Sequence, residues 1–266
     1  MSTSLRISLF SFLGILLAVP CLAQMRAVDA SQVQTDPIAA ALTAHGATVE
    51  SVQRLQLTGV STSTRGTELI TISGALDGSV KVEYGRPATR TYLGTPKATT
   101  EMVDGKLRFK PPQVGAFAQL DLLAVFGIRH FGASTVQRTV QGSGQIGDRT
   151  FITARAVTGR QRNVLGRDIA DTASVKIDTQ TGVVLEIMRD LYAENSVEYS
   201  IPAGFRFKDY RLVDGIYMPF QIERVLNNKV VETIALDAVD LHASFATDFF
   251  KTPQSPRREN VRRIER

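Results

Sequence analysis

The stretch FRFKDYRLVDGIYMPFQIERV, residues 205–225, sets two runs rich in alternating apolar and polar residues on either side of Asp214-Gly215. In the second run Ile216, Met218, Phe220 and Ile222 fall on one side, with Tyr217, Gln221 and Glu223 on the other. A period of two marks a strand with one buried and one wet face, and Asp-Gly between two such runs marks a tight hairpin turn. Pro219 lacks a backbone donor, which a strand tolerates near an edge or a bulge.

The same pattern extends outward. Towards the N-terminus it predicts strands from Arg54 to Ser63, Thr67 to Ala75, Ser79 to Gly85, Ala88 to Gly94, Ala98 to Val103 and Lys106 to Lys110. Asp77-Gly78 and Asp104-Gly105 supply turns, and Val80, Val82 and Tyr84 alternate with Lys81 and Glu83. Past the middle it predicts Ser134 to Ile146, Arg149 to Thr158, Asn163 to Ile169, Ala173 to Asp178, Val183 to Tyr192 and Ser196 to Ile201. Phe205 to Val213, Ile216 to Val225 and Lys229 to Leu241 complete the set. Strands spaced about 8 to 12 residues apart, with no βαβ rhythm, predict a mainly antiparallel β fold with added helix.

Two segments interrupt the strands. Asp36-Pro37 leading into Ile38 to Leu42 and ending at His45-Gly46 carries an N-cap, a first-turn proline and a terminal glycine, so it predicts a short helix. His45 stands at its C-terminus, where a cation suits the helix dipole, and is read as structural. Val114 to Phe131 holds Phe117, Leu120, Leu122, Leu123, Val125, Phe126 and Ile128, with only Gln119 and Asp121 polar before Arg129. A helix apolar on all sides is covered everywhere or awaits an apolar partner. It is expected either to fill a concave sheet as plain core or to act as a lid over an apolar cavity.

The ends read differently from the body. Met1 to Arg6 carries one positive charge, Ile7 to Val19 is almost wholly apolar, and Cys21 and Ala23 are small, which predicts a signal peptide over residues 1–23. The apolar run is shorter than the roughly 20 residues of a membrane-spanning helix. Pro20 before Cys21 does not fit lipidation of that cysteine. Cleavage would remove the chain's single Cys, leaving no disulfide or thiol chemistry. Residues 24–250 are read as one domain, and 251–266 as a basic, solvated tail with six basic residues against two acidic. The tail's functional reading is contact with an anionic membrane surface. Because the excess charge belongs to the tail and not to the fold, nucleic acid is not an expected partner.

Catalytic patterns do not emerge. His45, His130 and His242 stand alone, Gly142-Ser143-Gly144 lacks the spacing of a phosphate loop, and no GxSxG elbow occurs. No catalysis, metal or cofactor is expected.

Phe207 to Phe220 resembles the DYR-x-VDG-x-x-x-PF hairpin of bacterial outer-membrane lipoprotein-sorting-like proteins, the LolA/LolB-like superfamily. Ile177 to Leu185 is similar to the family's D-x-x-TG-x-x-x hairpin, and Phe245 to Pro253 to its closing F-x-x-P turn. The resemblance is firmest over residues 170–253. It implies an exported, periplasmic protein whose strongly curved sheet forms an unclosed half-barrel, covered by the N-terminal and mid-chain helices, and it brings no catalytic residues. It further implies a concave apolar face that accepts acyl chains of a lipid or acylated peptide. Phe117, Leu120, Leu123 and Phe126 from the mid-chain segment, with Met218 and Phe220 from the hairpin, are then the ligand-binding candidates. An envelope interaction module whose concavity is filled by its own side chains is the alternative, its protein partner left open. A closed outer-membrane barrel ranks last, since the chain has no Trp for an aromatic girdle.

Overall fold

The computed structural model describes residues 33, 35–46, 48–95, 99–109, 120–164, 167–192 and 198–251. The leader read over 1–23, Phe117 and the tail beyond Lys251 lie outside them. The first arm of the sheet comprises β1 (Arg54–Ser63), β2 (Gly66–Ala75), β3 (Val80–Tyr84), β4 (Arg90–Gly94), β5 (Thr99–Val103) and β6 (Lys106–Phe109). The second comprises β7 (Gln137–Ile146), β8 (Arg149–Val164), β9 (Arg167–Asp178), β10 (Val184–Tyr192), β11 (Ser200–Val213), β12 (Ile216–Leu226) and β13 (Lys229–Asp240). Helices α1 (Pro37–His45) and α2 (Ala124–Gly132) accompany them.

Each arm is a simple antiparallel meander, and the two join where β1 pairs with β13. Strand order runs β6-β5-β4-β3-β2-β1-β13-β12-β11-β10-β9-β8-β7, so β6 and β7 are the free ends of one open, curved sheet. A membrane barrel must close to satisfy its backbone; among the described residues this sheet does not. The turns are set by local chemistry. Asp104-Gly105, Asp214-Gly215 and Asn227-Asn228 have positive φ at both residues, the geometry of two-residue hairpins whose twist matches the strands.

Register determines which side chains share a face. Leu57, Ile72 and Val82 align across the first arm; Ile234, Ile222, Phe207, and then Phe205, Ile187, Val175 and Ala154 align across the second. All are buried in one continuous core. The outer face is charged: Lys81 pairs with Glu83 at 2.9 Å, and Lys176, Glu186 and Arg206 form a cross-strand row with both contacts at 2.7 Å.

Three strands, β8, β9 and β11, are longer than their sequence texture predicts, and the run read as one strand over Asn163 to Ile169 is divided between the end of β8 and the start of β9. β11 runs unbroken through Pro202 and Gly204, because that glycine is a packing requirement and not a break. A Cβ on Gly204 would lie 2.0 Å from the Ile187 carbonyl oxygen on β10. β8 likewise continues to Val164, absorbing an irregularity between Thr158 and Gln161 in its pairing with β9. Pro219 behaves as expected: the β12–β13 pairing begins only at Gln221, so the missing donor breaks no ladder with β13.

The D-x-x-TG hairpin has a physical basis. Asp178 is buried, and its Oδ1 accepts the Gln180 and Thr181 amides at 2.8 Å each, closing the turn into β10. Asp178→Ala should cost about 1–3 kcal/mol, the penalty for orphaning these donors, measured by urea unfolding; an unchanged midpoint would contradict the assignment.

His45 differs from its expected cationic role. It is fully buried against β12, with Nδ1–H donating to the Tyr217 carbonyl at 2.8 Å and its ring 5.6 Å from Tyr210. Burial lowers its pKa to about 4, against which the Tyr217 hydrogen bond works only weakly. The neutral ring is therefore the folded form, because desolvation outweighs the helix dipole. Below pH about 6.5 the unfolded chain takes up a proton that the folded chain refuses until about pH 4, so stability falls on acidification through this window. At about 1.4 kcal/mol per unit, the loss reaches about 3 kcal/mol. Urea unfolding at pH 7 and pH 4.5 checks it, and His45→Gln should flatten the difference by about 2.4 kcal/mol, the part of the loss that falls between those two values.

Candidate ligand-binding face

The chain that links the two free ends of the sheet, β6 and β7, contributes α2 to the inner face. Sequence texture predicts one apolar helix from Val114 to Phe131; the described part is instead a one-turn 3-10 helix, Leu120–Leu122, followed by α2 from Ala124. The two are separated at Leu123, whose backbone is non-helical (φ −101°, ψ 87°). α2 is also not apolar all round, because Arg129 and His130 are half-buried at its far end.

The candidate residues fare as follows. Leu123, Phe126 and Met218 are fully buried in the same core. The seat of the first two is Gly74 on β2: a Cβ there would lie 2.1 Å from Leu123 Cδ1 and 3.4 Å from Phe126 Cε2. Phe220 packs at the core's margin, half-buried, beneath the Arg211 guanidinium at 4.3 Å. Leu120 is placed by its backbone alone, in the 3-10 turn, and Phe117 lies outside the described residues. α1 braces α2 from behind, where Leu42 Cδ1 lies 2.5 Å from the Cβ position of Gly132.

Sequence reading missed the polar ties. Asp121 and Arg189 are buried, 4% and 8% exposed, and form a two-point ion pair. Arg189 Nε donates to Asp121 Oδ2, and its second nitrogen, Nη2, to Oδ1 at 3.0 Å. Arg189 shares the inner face of β10 with Ile187, and its guanidinium lies 5.5 Å from the Phe131 ring centroid. At the far end of α2 Arg129 Nη1 donates to the Val52 carbonyl. The available signal was a charged residue at an inward position of β10 facing a lone acid in an apolar run.

Beyond the helices the inner face turns polar. Glu232 on β13 accepts from Ser61 Oγ at 2.5 Å and Tyr84 Oη at 2.9 Å, and pairs with Arg224 Nε at 3.0 Å. Burial, followed by the Glu232 charge, pushes the Tyr84 phenol well above its ordinary pKa, so it stays a donor. Among the described residues no group of three or more His, Cys, Asp or Glu is placed to hold a metal ion.

No family model matches the sequence, and no curated protein is similar to it. Solved structures are similar in fold. A candidate outer membrane lipoprotein-sorting protein domain from Vibrio parahaemolyticus superposes with a TM-score of 0.52 at 9% identity, over 84% of this chain and 97% of that one. A DUF1329 family protein from Desulfovibrio piger gives 0.52 at 13% identity, over 82% and 98%. A LolA superfamily protein from Nitrosomonas europaea gives 0.47 at 10% identity, over 74% and 89%. The fold of this chain is therefore the lipoprotein-sorting-like one to which the hairpins of residues 170–253 pointed.

Proposed function

We propose that this chain is an exported, non-catalytic binding protein that holds the acyl chains of a lipid or acylated peptide against the inner face of its sheet. In this reading α2 is a displaceable plug, and the basic tail meets an anionic membrane surface. The observation that carries it is the seat of α2. The inner face is covered by α1 and by a second nine-residue helix, α2, inserted from a linker between the two free sheet ends, and among the described residues no second sheet packs on it. Such a plug can leave while the sheet's ladders stay intact.

The energies are comparable. Leu122, Leu123, Val125, Phe126, Ile128 and Phe131 are buried, and exposing six such side chains costs about 9–18 kcal/mol at about 1.5–3 each. A guest regains about 0.8 kcal/mol per methylene, so about 11–23 methylenes offset the displacement. One long acyl chain balances the plug and two exceed it, which gives binding that remains reversible.

The test is titration of the purified protein with a fluorescent 16-carbon fatty acid, followed by displacement with an unlabelled two-chain lipid. Saturable one-to-one binding, reversed by the lipid, is expected. Absence of saturable binding would leave the self-filled module.

A further inference from the structure

The polar end of the inner face contains a cavity of about 240 Å³ between the β1–β2 turn, β3, β4 and the β12–β13 hairpin. Arg65, Arg90, Arg224, Tyr92 and Glu232 contribute to its wall, three guanidinium groups against one carboxylate. Glu232 is already engaged within the wall by Ser61, Tyr84 and Arg224. Arg90 is paired with Glu68 at 3.2 Å, outside the lining, so the charge of Arg65 is the one that no carboxylate of the wall matches.

Arg90 is held rigidly. Its guanidinium lies 3.9 Å from the Tyr84 ring centroid and 5.9 Å from that of Tyr92, and Nη2 donates to Glu68 at 3.2 Å. Its Nε is a buried donor with no hydrogen-bond acceptor. A buried donor left without an acceptor costs free energy, and a guanidinium already held by stacking loses little freedom when an anion reaches its cavity side. Ser63 and Thr64 bring two hydroxyls to the same cavity, and Arg65 is exposed at its mouth.

We propose that this cavity binds a phosphate group, contacted by Arg65 and Arg90. Two planar donor forks and two hydroxyls match a ligand with three or more acceptor oxygens better than they match a carboxylate. The volume is below the roughly 300–1,000 Å³ of sites that enclose drug-sized ligands, so it holds a headgroup or free anion and no acyl chain. The site lies on the face assigned to acyl chains but does not depend on that assignment, because inorganic phosphate could occupy it alone.

The experiment titrates the purified protein separately with inorganic phosphate and with micelle-free dihexanoyl phosphatidic acid, observed by phosphorus NMR. The comparison covers Arg90→Gln, Arg65→Gln, and Lys81→Gln on the opposite face of the sheet. Saturable binding of either ligand, weakened at least about tenfold by each arginine change and untouched by Lys81→Gln, is expected. Binding of the lipid alone identifies a headgroup site, and binding of phosphate alone or of both identifies a site for the anion itself. If Arg90→Gln lowers the melting temperature, Arg65→Gln, an exposed turn residue, decides. Failure of both ligands to bind, or undiminished binding in Arg65→Gln, overturns the proposal. Failure of fatty-acid binding alone does not.

Discussion

Phe126→Ala should destabilise the protein and at the same time tighten its hold on acyl chains. Phe126 is fully buried over Gly74, so truncation removes transfer energy and leaves a cavity, about 3–5 kcal/mol in urea unfolding. If α2 competes with ligand for the inner face, the weakened plug costs less to displace, and a larger fraction of molecules is open. Apparent affinity is the intrinsic value scaled by that fraction, so fatty-acid binding should strengthen by about 10- to 100-fold. A self-filled module predicts the stability loss alone. The two readings therefore diverge in sign on the binding axis, where destabilisation without tighter binding would count against a displaceable plug.

Asp121→Ala should cost about 3–5 kcal/mol, because it strands the Arg189 guanidinium without its carboxylate on the inner face. Against a total stability of about 5–15 kcal/mol, that is enough to leave a visible unfolded population. The pair is not thereby shown to be a net stabiliser. Asp121→Leu with Arg189→Met replaces it by apolar side chains, and such exchanges are often neutral or better. The double variant should recover most of the loss. Denaturation of the two single variants and the double variant measures the coupling directly; additive losses would mean that the contact carries no coupling.

The hairpins were legible because their causes are local. Asp214-Gly215 and Asp104-Gly105 specify positive-φ turns by residue type, whereas the Ile216–Ile222 alternation reported the faces only in part, because Tyr217 and Glu223 on the side read as wet are buried too and Phe220 is half-buried. The breaks read near Gly204 were wrong for a non-local reason, the approach of the Ile187 carbonyl on the neighbouring strand. The plug was visible as an apolar run, but its interruption at Leu123 and its ion pair were not, since Asp121 and Arg189 are 68 positions apart. The polar end of the inner face was less visible still. Tyr84 and Glu232 are 148 positions apart and meet only through the β1–β13, β1–β2 and β2–β3 registers. Turn chemistry and periodicity report each strand's faces, while a site assembled from several strands depends on register.

The central claim is that the inner face exchanges α2 for acyl chains. Its most direct test is native mass spectrometry of the protein purified from an exporting host, with solvent extraction of what accompanies it. The account predicts reproducible adducts in the lipid mass range, extractable as acyl-bearing molecules, with greater occupancy in Phe126→Ala. A clean apo mass that stays apo after incubation with lipids and acylated peptides would contradict it.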